Sequence, residues 1–154
     1  WVAPSPPVLE RIPPRVEAAL ALRIEHQPSS TRRLLEAASA QGPVFMAEVV
    51  ASAAGMTAQE AVNLLGGPLT KPERLVVPYD LAQAGDRVLT RYRFHQGLMQ
   101  RYLYANLDDA QRIYWRRALA EAMERVIGAH DAQHWALVDD TTWQFDPVLR
   151  HGGN

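Results

Sequence analysis

The sequence predicts a mainly α chain carrying one β-hairpin, and three observations support this. Apolar residues recur at helical spacing over most of residues 14 to 66 and again from 98 to 127. The period drops to two across Val88, Thr90, Tyr92 and Phe94, which alternate with Leu89, Arg91 and Arg93. A turn at Ala84-Gly85-Asp86 separates that run from a short apolar one, Leu75-Val76-Val77, and so pairs the two as a hairpin.

Each element has its own signal. Five of the eleven prolines fall in residues 1 to 14, where each fixes φ and removes a donor, so residues 1–13 are expected to be an extended linker. Val16, Leu20 and Ile24 then mark one stripe of a helix ending near His26. Pro28 suits the first turn of a second helix, with Leu34, Leu35 and Ala38 inward and Gly42-Pro43 as its stop. A third short helix is expected from Phe45 to Ala54, closed by Gly55. Thr57 and Glu60 have capping-box spacing and open a fourth, which Gly66-Gly67-Pro68 ends. After the hairpin, Leu98, Met99, Tyr102 and Leu103 return to helical spacing. Asp108 with Gln111 caps the longest helix, running to about Ile127 with Gly128 beyond and burying Trp115, Leu119, Met123 and Val126. Residues 130 to 146 are expected to be helical in part. This order, short helices and then a hairpin, is that of a winged helix. The expected organisation is therefore a winged-helix-like subdomain over 14–95 and a small helical extension over 96–154.

Composition narrows the function. With 154 residues, 47% hydrophobic and 21% charged, and a net charge of -1, the chain suits a folded domain and is too short for a large multidomain enzyme. It has no bulk electrostatic attraction to nucleic acid or membrane. The absence of cysteine excludes disulfides, thiolate metal sites and thiol catalysis, and fits a cytoplasmic location. No apolar run approaches the roughly 20 residues of a membrane span, so no membrane partner is expected. The chain starts at Trp1 without an initiator methionine and reads as a piece of a longer protein.

Three constellations could carry chemistry. Gly66-Gly67-Pro68-Leu69-Thr70-Lys71 echoes a phosphate loop in composition only, because no hydroxyl follows the lysine to hold Mg²⁺. His130 and His134 stand at i and i+4, as in a His-Glu-x-x-His zinc box, and support an alternative reading as a small metal-dependent hydrolase. Asp131 is one methylene shorter than the general-base glutamate of that box. The charge distribution is uneven: residues 87–117 hold seven arginines (87, 91, 93, 101, 112, 116, 117) against two acids, while residues 118–154 hold two against six. Arg91, Arg101, Arg112, Arg116 and Arg117 are accordingly the expected interaction surface, suited to an acidic neighbour or a phosphate. A winged-helix DNA binder is the other alternative. The helix that would enter the major groove, Thr57 to Leu65, has no Arg or Lys, which argues against sequence-specific DNA.

The chain also resembles a known family. The runs Ile12-Pro13-Pro14-Arg15-Val16-Glu17-Ala18, Leu34-Leu35-Glu36-Ala37-Ala38-Ser39 and Phe45-Met46-Ala47-Glu48-Val49-Val50, together with Arg74-Leu75-Val76 and the stretch from Arg91-Tyr92-Arg93-Phe94 to Tyr102-Leu103-Tyr104-Ala105-Asn106-Leu107-Asp108, are similar to one arrangement. It is the segment after the P-loop NTPase domain in bacterial STAND-type signalling ATPases, multidomain transcriptional activators and class III adenylate cyclases. The resemblance covers about residues 1 to 127. It implies a winged-helix module that catalyses nothing itself and moves between resting and active states. It also implies a parent protein holding ADP or ATP, with that parent's NTPase domain, its tetratricopeptide-like helical repeats and a protein effector as partners. In the broader class a histidine in a Phe-Arg-His pattern at the end of the wing reaches the β-phosphate of ADP. The pattern here is Phe94-His95-Gln96, so His95 takes the arginine position and Gln96 the histidine position. Gln96 can donate an amide hydrogen bond and carries no charge. Arg93, His95 and Gln96 are the nucleotide-sensing residues this resemblance implies. Strand alternation adds that Tyr92 and Phe94 face inward while Arg91, Arg93 and His95 point outward.

Overall fold

A computed structural model describes residues 12–128. Over that range the chain is mainly helical with a small antiparallel sheet. Pro14 opens α1 (Pro14–Glu25), and Leu20 is the buried centre of its stripe, with Val16 and Ile24 partly covered. Helix α2 (Ser29–Gln41) buries Leu34, Leu35 and Ala38 as its spacing requires and stops at Gly42, whose φ of 137° few other residues adopt. Strand β1 (Val44–Met46) follows, and then α3 (Ala47–Ala54), closed by left-handed Gly55. Helix α4 (Ala58–Gly66) begins with the full capping box. The Thr57 hydroxyl accepts from the Glu60 N–H at 3.1 Å, and the Glu60 carboxylate accepts from the Thr57 N–H at 3.0 Å. Strands β2 (Val76–Ala84) and β3 (Arg87–Phe94) form the hairpin, followed by α5 (Gly97–Ala105) and α6 (Asp109–Ile127). Asp108 and Gln111 make the second capping box, at 2.7 and 2.9 Å.

The order α2-β1-α3-α4-β2-β3, with β3 central in a sheet ordered β1-β3-β2, is a winged helix whose wing is β2–β3. Two sequence expectations need correction. Phe45 and Met46 are not the start of a helix: Val44, Phe45 and Met46 pair with Arg93, Tyr92 and Arg91. The Phe45 ring lies 5.3 Å from Phe94 and 6.4 Å from Tyr92, so tertiary pairing overrides the local helical pattern. The first wing strand also does not end at Val77. It continues through Pro78 to Ala84, because β2 is an edge strand and a bulge at Tyr79 restarts the ladder at Asp80–Arg91.

One hydrophobic cluster runs from Leu20 to Ile127 and includes Phe45, Leu65, Phe94, Met99, Trp115 and Leu119. Residues on both sides of position 95 share it, so α5 and α6 belong to the same core as the winged-helix elements. Among the described residues no helix is long and apolar enough to cross a membrane.

Candidate functional site

The end of the wing is built by two backbone connections. The Phe94 N–H donates to the Pro43 carbonyl at 2.9 Å and the His95 N–H to the Leu75 carbonyl at 2.9 Å, which fixes the point where β3 leaves the sheet. Arg74, just before Leu75, has a φ of 54°, left-handed for a non-glycine residue, and turns the chain so that Leu75 meets His95. Gln96 then N-caps α5 with extended backbone angles and no side-chain cap, so the first turn of α5 presents its N–H groups and the positive end of its dipole without a side-chain acceptor.

Arg93, His95 and Gln96 are all exposed at this junction. The Arg93 guanidinium folds along the chain and donates from Nη1 to the carbonyls of Phe94, at 3.2 Å, and His95, at 3.4 Å. The structure adds Arg101. Its Nη1 lies 3.7 Å from the position a Cβ on Gly97 would occupy, so a second guanidinium covers the first turn of α5. Sequence reasoning placed Arg101 on a general basic surface. The one-turn spacing of Gly97 and Arg101 is the signal that could have placed it here. Arg93, His95, Gln96 and Arg101 all stand within four residues of Gly97 at the start of α5, a composition that attracts an anion.

The other arginines have different partners. Arg91 does not point outward with Arg93 and does not belong to an interaction surface. Its side chain is 0% exposed, forms a two-pronged ion pair with Asp80 through Nε and Nη2, and lies 5.1 Å from the Tyr79 ring centroid. The bulge at Tyr79 brings Asp80 opposite Arg91. Arg112 holds the C-terminal end of α5, donating to the Tyr104 and Ala105 carbonyls at 3.3 and 3.2 Å with its guanidinium 4.9 Å from the Tyr104 ring centroid. Arg116 donates to the Tyr104 hydroxyl from Nε and Nη2 at 3.2 and 3.1 Å. Of the five arginines expected on an interaction surface, Arg101 and Arg117 are exposed, while Arg112 and Arg116 brace the α5–α6 elbow. His130 and His134 lie outside the described residues.

Two acids that the sequence reading passed over shape the wing. Asp80 partners Arg91. Glu48, in the first turn of α3, accepts from the Thr90 N–H at 2.8 Å and its hydroxyl at 3.0 Å, extending the β1–β3 pairing by a side chain. Burial, with Glu48 adding to it, raises the pKa of the Tyr92 phenol.

Helix α4 occupies the recognition-helix position of a winged helix. Among its exposed polar residues, Glu60 is committed to the capping box and the Gln59 amide donates to Asn63 at 2.9 Å. It presents no cation to a phosphate backbone. Comparison with protein-family models, curated proteins and solved structures found no match for this chain.

Proposed function

We propose that the chain is a non-catalytic regulatory and interaction module of a STAND-type signalling ATPase, acting in the cytoplasm and coupling the nucleotide state of an NTPase domain to a sensor or effector. Its partners in this reading are that NTPase domain, the helical repeats of the parent chain and a protein effector. The single observation that carries the reading is the side-chain-uncapped start of α5, with Arg93, His95, Gln96 and Arg101 gathered at the base of the wing. A phosphate of bound ADP suits that environment: helix N–H groups and the guanidinium charges attract it, and Gln96 supplies a neutral donor. Arg101 supplies charge that Gln96 lacks, so contact with the phosphate persists without a histidine in that position.

The DNA-binding alternative is disfavoured by α4, which has no arginine or lysine. In the intact parent, Arg93→Ala and Gln96→Ala should speed release of a fluorescent ADP analogue and raise basal output. Unchanged release in both variants makes the wing base a structural junction and removes the nucleotide contact.

A further inference from the structure

The sequence of the β2–β3 wing fits two strand registers, and the geometry points to the Asp80–Arg91 ion pair, whose guanidinium is fully buried, as the latch that holds the observed one. From Val76–Phe94 to Pro78–Tyr92 the strands pair without interruption. Tyr79 is then skipped, and pairing resumes at Asp80–Arg91, Leu81–Thr90, Ala82–Leu89, Gln83–Val88 and Ala84–Arg87. Absorbing Tyr79 into the ladder would instead pair Tyr79 with Arg91, Leu81 with Leu89 and Gln83 with Arg87. A one-residue change of register moves every later β2 side chain to the opposite face.

Hydrophobicity alone selects weakly between these arrangements. In the observed register Ala82, Ala84 and Leu89 are buried, while Leu81 is 61% and Val88 54% exposed. The alternative would bring Leu81 and Gln83 to the face of Leu89 and turn Ala82 and Ala84 out, so the apolar area gained at Leu81 is offset by the two alanines lost and the amide turned inward. The turn also allows both: observed, Gly85 and Asp86 form a two-residue loop with φ of 60° at Gly85, and the alternative lengthens it to three residues, Ala84 to Asp86.

What separates the registers is charge. The observed one places the Asp80 carboxylate on the same face as the Arg91 guanidinium, with both prongs engaged and Tyr79 stacked on it. The alternative moves Asp80 to the Thr90 face and takes its carboxylate away from a side chain that is 0% exposed. An ion pair in that setting specifies register more than it adds net stability. A ligand or partner that competes for Asp80 would therefore favour the slipped wing, with Leu81 turned in and its outer face changed.

The chain has no native cysteine, so engineered pairs report the register directly. Gln83, Arg87 and Val88 are exposed, which leaves the core untouched. Gln83→Cys with Val88→Cys closes in the observed register, and Gln83→Cys with Arg87→Cys closes in the slipped one. The wrong pair has its Cβ atoms on opposite faces and cannot be bridged without backbone movement. In an equilibrating thiol buffer the otherwise native chain should close 83–88 and leave 83–87 reduced, and Asp80→Ala should reverse that preference. Asp80→Asn, which keeps the shape and removes the charge, serves where Asp80→Ala does not fold, and should populate both pairs. Closure of 83–87 in the native background overturns the latch, as does a folded Asp80 variant that still closes 83–88 alone.

Discussion

Arg91 and Arg93 stand two residues apart on the same face of β3, yet one is buried against Asp80 and the other lies on the surface at the wing base. Strand alternation correctly placed Tyr92 and Phe94 in the core, where they are 5% and 2% exposed. It failed for Arg91 because alternation describes one strand, while Arg91 is buried through a partner delivered by a bulge in the neighbouring strand. The energetic consequence is asymmetric. Arg91→Ala removes a fully buried side chain and leaves the partly exposed Asp80 carboxylate without its cation, and should cost about 1 to 3 kcal/mol. Arg93→Ala should stay within about 0.5 kcal/mol of the parent stability. Urea unfolding of the two variants checks the pair. Phe94→Ala should likewise cost about 3 to 5 kcal/mol, as expected for a fully buried ring. Tyr102 is only partly buried, so Tyr102→Ala should cost less, and thermal melts that rank the two in the opposite order would contradict the packing described.

At the scale of elements, what the sequence made legible is what local chemistry determines. Both capping boxes follow from side chains three residues apart, and both helices start where those residues put them. Strand β1 was not legible, since three residues that pair with a strand more than 40 positions away carry no local period. The second half of β2 was hidden for a related reason: Pro78 reads as a strand end unless the strand is known to lie at an edge. Glu60 gives a pH test at this scale. Hydrogen bonds from the Thr57 N–H and hydroxyl hold its carboxyl below the usual carboxylate range. The folded pKa is depressed, so the cap contributes above the unfolded pKa and is lost as pH falls through the folded one. Acidification should raise amide exchange at the start of α4 in the native chain. The increase relative to the chemical exchange rate should be absent in Glu60→Gln, and identical profiles in the two proteins would remove this role for the carboxylate.

Across the whole molecule, the wing base and α6 are joined through α5. Helix α5 begins at the side-chain-uncapped junction beside Arg93 and ends where Arg112 and Arg116 clamp Tyr104 from α6. Helix α6 in turn packs on α3 through the core that holds Trp115, Leu119 and Ala122, and Arg125 reaches Ser52 of α3 at 2.9 Å. The sequence suggested two units divided near residue 95. The continuous core from Leu20 to Ile127 depends on contacts between helices far apart in the chain, which periodicity does not encode. Under the proposed regulatory function, a ligand at the start of α5 would act on an element braced at both ends. The most direct test of that role is hydrogen exchange on the intact parent protein with and without ADP. The account predicts slower exchange over residues 93 to 98 when ADP is bound, and loss of that protection when Arg93 and Gln96 are both replaced by alanine. Exchange over 93 to 98 that ADP leaves unchanged would contradict it.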